Sequence, residues 1–492
     1  MKPWTRHPKI YEINTWVWLQ ELSRKHNRSV TLSAVPKEEW DYLSSFGFDA
    51  IWLMGVWERS PKGLQVAIGN ERLMADFRRA LPDLRPEDII GSAYCVRRYM
   101  VDRHLGGPEG LATARKMLRE RGLRLILDFV PNHVAPDHPW AIEHPEYFIH
   151  GNDEDLRREP SSFFKTNGNV YACGRDPYFP AWSDVLQLNA FDRGLRKGAI
   201  ETVAGIADQC DGIRCDMAML MLNAVFERTW GARAGKKPDE DYWTTIIPAI
   251  KKKHREFRFI AEAYWDLEWE LQQQGFDYCY DKRLYDRMEH SNAESVRQHL
   301  LAYISYQERL VRFIENHDEP RAAATFSGGK ARAAAVVALT LAGAKLLHEG
   351  QMQGFQVRLP VFLGRRLLEH VDQDLLTFYQ RLLKGIDHDV FRNGQWRLCE
   401  RRGWPDNQSF LNIISWCWTY DDERYLIVVN FRDGDSQARI QAPWDDLGGK
   451  MWRLSDVLSG DTYDRNGEDM RDNGLHVDLG PWKYHFFRLK NI

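Results

Sequence analysis

Short apolar runs alternate with longer amphipathic stretches along the first three quarters of the chain. The strand candidates are "KIYEINTWVW" (9–18), "DAIWLMGVW" (49–57), "LRLILDFV" (123–130), "CDGIRCDM" (210–217), "FRFIAEAYW" (257–265), "FDYCYD" (276–281), "RLVRFIEN" (309–316) and "AKLLHEG" (344–350). Each is a short apolar run of strand length. Helical patterns lie between many of them. "PEGLATARKMLRERG" (108–122) opens on Pro108 and stops at Gly122, the usual asymmetry of helix ends. Eight strands with intervening helices predict a parallel (β/α)8 TIM barrel.

Three connections are too long for plain strand-to-helix loops: 58–90, 134–189 and 222–243. The second, rich in Pro, Gly, Asn and aromatics, reads as a small domain inserted after the third strand. From about residue 389 the texture changes to short alternating strands such as "RYLIVVNF" and "KYHFFRL", predicting a C-terminal all-β sandwich. The expected division is a barrel over 1–133 and 190–388, an insertion over 134–189, and the sandwich over 389–492.

Composition narrows the function classes. The chain has 492 residues, 43% hydrophobic and 28% charged, ample material for a sizeable core. The formal net charge is −3 and no block of like charge occurs, so nothing points to nucleic acid or an anionic membrane surface as partner. No segment reads as a signal peptide or a membrane span. Seven cysteines (Cys95, Cys173, Cys210, Cys215, Cys279, Cys399, Cys417) are scattered without CxxC spacing, which predicts neither a disulfide framework nor a zinc site and fits a cytoplasmic protein. Nineteen Trp supply flat apolar faces that suit sugar rings as well as cores.

Catalytic residues of such barrels sit where the strands end. Here the third strand ends in Asp128, Asn132 and His133, and the fourth places Arg214 and Asp216 on one side, since alternate residues share a face. The fifth offers Glu262, and the seventh runs into "ENHDEPR" with Asn316, His317 and Asp318. Any one of these groups has an ordinary structural reading as a cap, an ion pair or a hydrogen-bonded core residue. Three carboxylates at the ends of strands four, five and seven, facing one cleft, destabilise a fold unless they are used.

Glycoside hydrolysis uses such a set: one carboxylate attacks the anomeric carbon and a second carboxyl group protonates the leaving oxygen. The acid needs a raised pKa, and Glu262, between Ala261, Ala263, Tyr264 and Trp265, has the more apolar neighbours. Asp216 has Arg214 beside it to keep it ionised and oriented. This assigns Asp216 as nucleophile and Glu262 as acid/base, with His133 and His317 suited to hydrogen-bonding sugar hydroxyls.

At these residues the sequence resembles the α-amylase family of glycoside hydrolases. "DFVPNH", "GIRCD", "IAEAYW" and "ENHDEPR" are similar to that family's four short motifs and occur in its order. The resemblance implies a retaining mechanism on α-glucosidic bonds of α-glucans or malto-oligosaccharides. It makes Asp216 the nucleophile, Glu262 the acid/base and Asp318 the carboxylate that binds the reacting glucose. It also places Arg214, His133, His317 and Tyr94 around that ring, with Asp128 in support.

Three departures from the family pattern qualify this. Gln187, in "DVLQLN", stands where the family often has a calcium-binding Asp, so Asn132 is left as a candidate metal ligand without its partner, and no cofactor is expected to be required. "MAML" (217–220) lacks the Lys-His pair with which many starch-degrading members hold sugar beyond the cleavage point, and Arg98 replaces a common acidic residue. A cytoplasmic enzyme on short oligosaccharides or glycogen-like chains fits better than a secreted starch amylase. The alternatives are a transglycosylase (a glucanotransferase or maltosyltransferase) using the same carboxylates, and an inactive relative acting as a binding subunit. The second is disfavoured because all three carboxylates and Arg214 are present. A metalloenzyme using Asp128, His133, Glu262 and His317 is disfavoured by Arg214 and by the lack of a close His pair.

Overall fold

In the computed structural model, which describes residues 3–492, all eight apolar runs contain strands and close on one another. These are β1 (Lys9–Asn14), β2 (Ala50–Met54), β3 (Arg124–Phe129), β4 (Gly212–Cys215), β5 (Arg258–Ala261), β6 (Tyr278–Tyr280), β7 (Leu310–Arg312) and β8 (Ala344–His348). Each pairs in parallel with its neighbour in sequence, and β8 returns to β1. Their burial on both faces explains the near-continuous apolar sequences: the inner face fills the barrel and the outer face meets the helices.

The helices that cover the barrel are α1 (Thr15–Lys25), α2 (Lys37–Ser45), α3 (Gly107–Glu120), α4 (Arg193–Ala207), α5 (Tyr242–Lys253), α6 (Glu268–Gln273), α7 (Lys282–His290), α8 (Gly329–Thr340) and α9 (Gln373–Gly385). The first strand is shorter than the apolar run 9–18. Asn14 takes an extended backbone and its Oδ1 accepts from Val17 N, so it caps α1 and turns "TWVW" into the first helical turn. Local capping overrides β propensity there.

α8 is apolar all round, "GKARAAAVVALT", and residues 333–340 are almost wholly buried. A helix of that composition must be covered on every side. The barrel covers one side and the C-terminal region the other: Trp416 and Trp418, both fully buried, donate their indole N–H to Thr340 O at 3.1 and 2.7 Å. The C-terminal region consists of a six-stranded and a three-stranded antiparallel sheet. Val428, Leu454 and Phe487 of the larger sheet share an apolar layer with Ala438, Ile440 and Val477 of the smaller one, which makes a sandwich. Between β3 and α4 the chain builds a four-stranded sheet from residues 133–134, 182–187, 169–174 and 163–166. The connection after β2 forms two short helices (Pro61–Ile68 and Glu71–Ala80). Phe77 and Leu81 there pack against Leu363 of the loop after β8. Among the described residues no helix is long and apolar enough to cross a membrane.

Replacing Trp418 by Ala removes a fully buried indole from the junction of sandwich and barrel. The expected loss is about 3–5 kcal/mol, read as a lower thermal midpoint with the barrel's own secondary structure intact near room temperature.

Candidate active site

The carboxyl ends of β3, β4, β5 and β7 bring one cluster of ionisable side chains together around Arg214. This residue lies inside β4, level with Asp128 of β3, and its side chain is 1% exposed. Its Nη1 sits 2.7 Å from Asp216 Oδ1 and 3.9 Å from Asp128 Oδ1. Its Nη2 sits 2.9 Å from Glu262 Oε2 and 3.8 Å from Asp318 Oδ2. The guanidinium carbon lies 5.4, 5.1 and 5.8 Å from the ring centroids of Trp52, Tyr94 and Tyr280. Aromatic walls exclude water and favour a delocalised cation, so the charge stays in place.

The four carboxyl groups differ because their surroundings differ. Burial raises Glu262 to about 7; Arg214 opposes this, while Asp216 and Asp318 add to it. Its neighbours are more polar than the flanking alanines imply, since Tyr264 Oη donates to Oε1 at 2.8 Å and Met217 N donates to Oε2 at 2.5 Å. Asp216 is raised by burial, with Arg214 pulling the other way. Asp128 is raised by burial to about 6, against Arg214 and the amide of Gly55, which donates to Oδ2 at 3.1 Å. Asp318 opens onto the cleft mouth, with 44% of its side chain exposed. Burial of its inner side is outweighed by His317 and Arg214, which hold it down at about 2.

His317 is the second cation of the cluster. Burial disfavours its charge, but Asp318 and Glu12 outweigh that and hold the ring well above its ordinary pKa. Its Nε2 is 2.9 Å from Asp318 Oδ2 and 2.8 Å from Tyr94 Oη, and its Nδ1 is 2.5 Å from Glu12 Oε1. His133 differs: burial lowers it to about 4, so it is a neutral ring beside Trp182, with centroids 5.2 Å apart. Tyr94, half-buried, lies over both Arg214 and the His317 ring.

The loop that presents His317 and Asp318 is fastened by its neighbours in "FIENHDEPRAA". Glu315 is fully buried and accepts from Arg321 Nη1 at 2.7 Å and from Ala322 N at 2.6 Å. Arg321 Nη1 also reaches His348 Nδ1 and Glu349 O. Asn316 Oδ1 accepts from the amides of Asp318 and Glu319, both at 2.9 Å. These ionisable groups therefore divide into a scaffold (Glu315, Asn316, Arg321) and a cleft pair (His317, Asp318).

Residues 37–422 match the family model described as alpha amylase, catalytic domain. The chain belongs to the alpha-amylase family. It is 24% identical over 471 residues to alpha-amylase MalA of Haloarcula japonica, covering 90% of this chain and 58% of that one. It is 20% identical over 414 residues to an alpha-1,4-glucan:maltose-1-phosphate maltosyltransferase of Picrophilus torridus, covering 80% of this chain and 59% of that one. The chain thus spans under two thirds of the length of these relatives. Among solved structures, maltogenic alpha-amylase AmyB from Thermotoga neapolitana shares the fold with a TM-score of 0.69 at 19% identity, covering 98% of both chains.

The calcium position that the alpha-amylase family implies does not fit a hard cation here. Gln187 is fully buried, and its Nε2 lies 3.0 Å from Asn132 O, 2.9 Å from Asn132 Oδ1 and 2.9 Å from Leu188 O. A hydrogen-bond donor holds the oxygens that would be ligands, and no carboxylate joins them. Asn132 is thereby a partner of Gln187.

Sequence reasoning missed Glu12, Tyr264 as a hydrogen-bond donor, and the cage of Trp52 and Tyr280. It considered ionisable groups at strand ends, whereas Glu12 and Trp52 lie within strands and Tyr280, though it ends β6, is aromatic. The available signal was "KIYEIN", an acid at an inward position of an otherwise buried strand. Treatment with a chelator is expected to leave both the thermal midpoint and any glycosidase turnover unchanged within error. A marked drop in the midpoint, restored by added calcium, would show the Gln187 interpretation to be wrong.

Proposed function

We propose that the chain is a retaining glycosidase that cleaves α-glucosidic bonds of α-glucans or malto-oligosaccharides. The observation that carries this is one buried guanidinium touching both Asp216 and Glu262, while Glu262 is pushed up to about 7. A carboxylate beside a fixed cation is a ready nucleophile, and a carboxyl group that keeps its proton to about pH 7 is a ready acid.

In this reading Asp216 Oδ attacks the anomeric carbon as Glu262 gives its proton to the departing oxygen. The positive charge that builds on the ring is met by Asp216 and by Asp318, which stays ionised because it sits near 2. His133, as a neutral ring, donates to a sugar hydroxyl, while the charged His317, its two nitrogens facing Glu12 and Asp318, holds Asp318 against the sugar, with Tyr94 beneath the ring. Glu262, now ionised, then takes a proton from water, which releases the sugar with its configuration retained. The cytoplasmic placement expected from the cysteine pattern is part of this proposal.

The second reading, transfer to a sugar acceptor, rests on what flanks the acid. Trp265 and Asp266 both take left-handed backbone angles (φ 63° and 64°), a strained conformation for side chains of this size. An ion pair of Asp266 with Arg283 holds the turn, and the Trp265 ring meets Tyr178 of the inserted segment edge-on at 4.9 Å. Asp176 Oδ1 fixes Tyr178 by accepting its amide at 2.7 Å. This aromatic pair, with Met217 in place of hydrogen-bonding groups, offers a stacking surface where an acceptor competes with water.

Product analysis with maltoheptaose, with and without glucose, separates the two readings. Hydrolysis gives only shorter sugars with reducing ends rising in step; transfer gives longer products with little gain in reducing ends. Asp216→Asn should lower turnover by about four orders of magnitude or more, with the thermal midpoint retained; substantial residual activity would remove Asp216 from the role of nucleophile. For the wild type, kcat/KM on maltoheptaose should fall about tenfold per pH unit above about 7, as Glu262 loses its proton. Glu262→Gln should lose about three orders of magnitude and abolish that limb.

A further inference from the structure

The β1 strand carries a charged group that the catalytic reading does not use. Glu12 is fully buried, and its strand alternation puts Ile10, Glu12 and Asn14 on the opposite face from Tyr11, whose ring stacks on Phe48. In register it lies beside Trp52 of β2 and His348 of β8. Its Oε1 is 2.5 Å from His317 Nδ1, and its Oε2 is buried with no hydrogen-bond partner. A carboxylate so placed is expensive unless a cation answers it. On its far side, the same ring meets Asp318 Oδ2 at 2.9 Å and Tyr94 Oη at 2.8 Å. The edge of the ring rests on Trp52, with centroids 5.6 Å apart.

We propose that Glu12 is a positioning residue whose carboxylate keeps the His317 ring doubly protonated, so that its Nε2–H is always directed into the cleft at Asp318. A neutral imidazole carries one proton and chooses between Nδ1 and Nε2. Here Glu12 Oε1 faces Nδ1 and Asp318 Oδ2 faces Nε2, so each nitrogen has a carboxyl oxygen to hold its proton. Asp318 then keeps a cationic partner over the working pH range and stays ionised opposite the reacting sugar. This rests on the reading of Asp318 as a sugar-binding carboxylate for its effect on turnover, but the protonation of His317 does not.

The charges facing His317 come from every neighbouring element. Glu12 and Asp318 favour its charge, joined at longer range by Asp128. His348, at the end of β8, and Arg321, in the turn after β7, are both engaged by Glu315, at 3.2 and 2.7 Å. Arg214, which would oppose a second cation, is bound to Asp216 and Glu262. Neutralising Glu12 therefore leaves Asp318 as the main support for the ring's charge. Since His317's folded-state pKa is raised, its charge is present at low pH and lost as pH rises through that value, and Glu12→Gln brings the loss to lower pH.

The test uses α-maltosyl fluoride, whose leaving group departs without the proton of Glu262, so the alkaline limb of the acid is absent. Between about pH 6 and about pH 9, the ratio of Glu12→Gln to wild-type kcat/KM should fall at least about tenfold, because Gln keeps the shape and hydrogen bond but not the charge. A ratio constant across that range would overturn the proposal and leave Glu12 a packing residue. A wild type inert towards the fluoride would instead overturn the glycosidase reading. Should the variant not fold, nitrogen-15 spectra of the wild-type histidine rings decide: two N–H signals for His317 at about pH 8 are expected, and a singly protonated ring refutes the role of Glu12.

Discussion

The arrangement depends on the charge of Arg214. Five carboxyl groups (Glu12, Asp128, Asp216, Glu262 and Asp318) converge on the carboxyl end of the barrel, against two cations, Arg214 and His317. Removing water from that many acids is unfavourable unless a fixed positive charge answers them. Arg214 answers four of them from one place, and three aromatic rings keep its guanidinium from solvent. The acids are then set apart by their burial and their other partners rather than by distance to that cation, since Glu262 lies at 2.9 Å from it and Asp318 at 3.8 Å. Glu262 stands near 7 because burial and two neighbouring carboxyls outweigh Arg214, and Asp318 stands near 2 because His317 adds to it.

Around this centre the fold supplies rigidity. The strand ends fix Asp128, Arg214, Asp216 and Glu262 by backbone register, while the buried contacts of Glu315 with Arg321 and Ala322 fix the turn carrying His317 and Asp318. The inserted sheet brings Trp182 against His133 and Tyr178 against Trp265, so the cleft is walled by two parts of the chain. The sandwich has no side chain in the cluster around Arg214; its part is to cover α8, whose apolar sequence would otherwise face water.

Much of this was legible in the sequence for a physical reason. Strands buried on both faces must be apolar runs, and the end of such a run is where polar chemistry becomes visible, which is why Asp128, Arg214, Asp216, Glu262, His317 and Asp318 could be named from spacing. What was not legible lies where tertiary contacts decide. Glu12 sits inside a strand, and only barrel closure brings it to His317. The apolar neighbours of Glu262 in sequence, Ala261 and Ala263, do not set the surroundings of its carboxyl, which Tyr264 Oη and Met217 N meet. "TWVW" looks like strand until Asn14 caps it as helix. Gln187 was read as a missing calcium ligand, but that its amide nitrogen lies among the Asn132 and Leu188 oxygens required the folded insertion.

The central claim, that the Arg214-bound carboxylate of Asp216 forms a covalent bond to the sugar, is tested most directly by trapping the intermediate. The protein would be incubated with a fluorinated maltosyl fluoride that reacts quickly but hydrolyses slowly, then digested and examined by mass spectrometry. The account predicts one added maltosyl unit on the peptide containing Asp216, attached at that residue. A label on Glu262 or Asp318, or turnover of the substrate with no label at all and with inverted anomeric configuration, would contradict it.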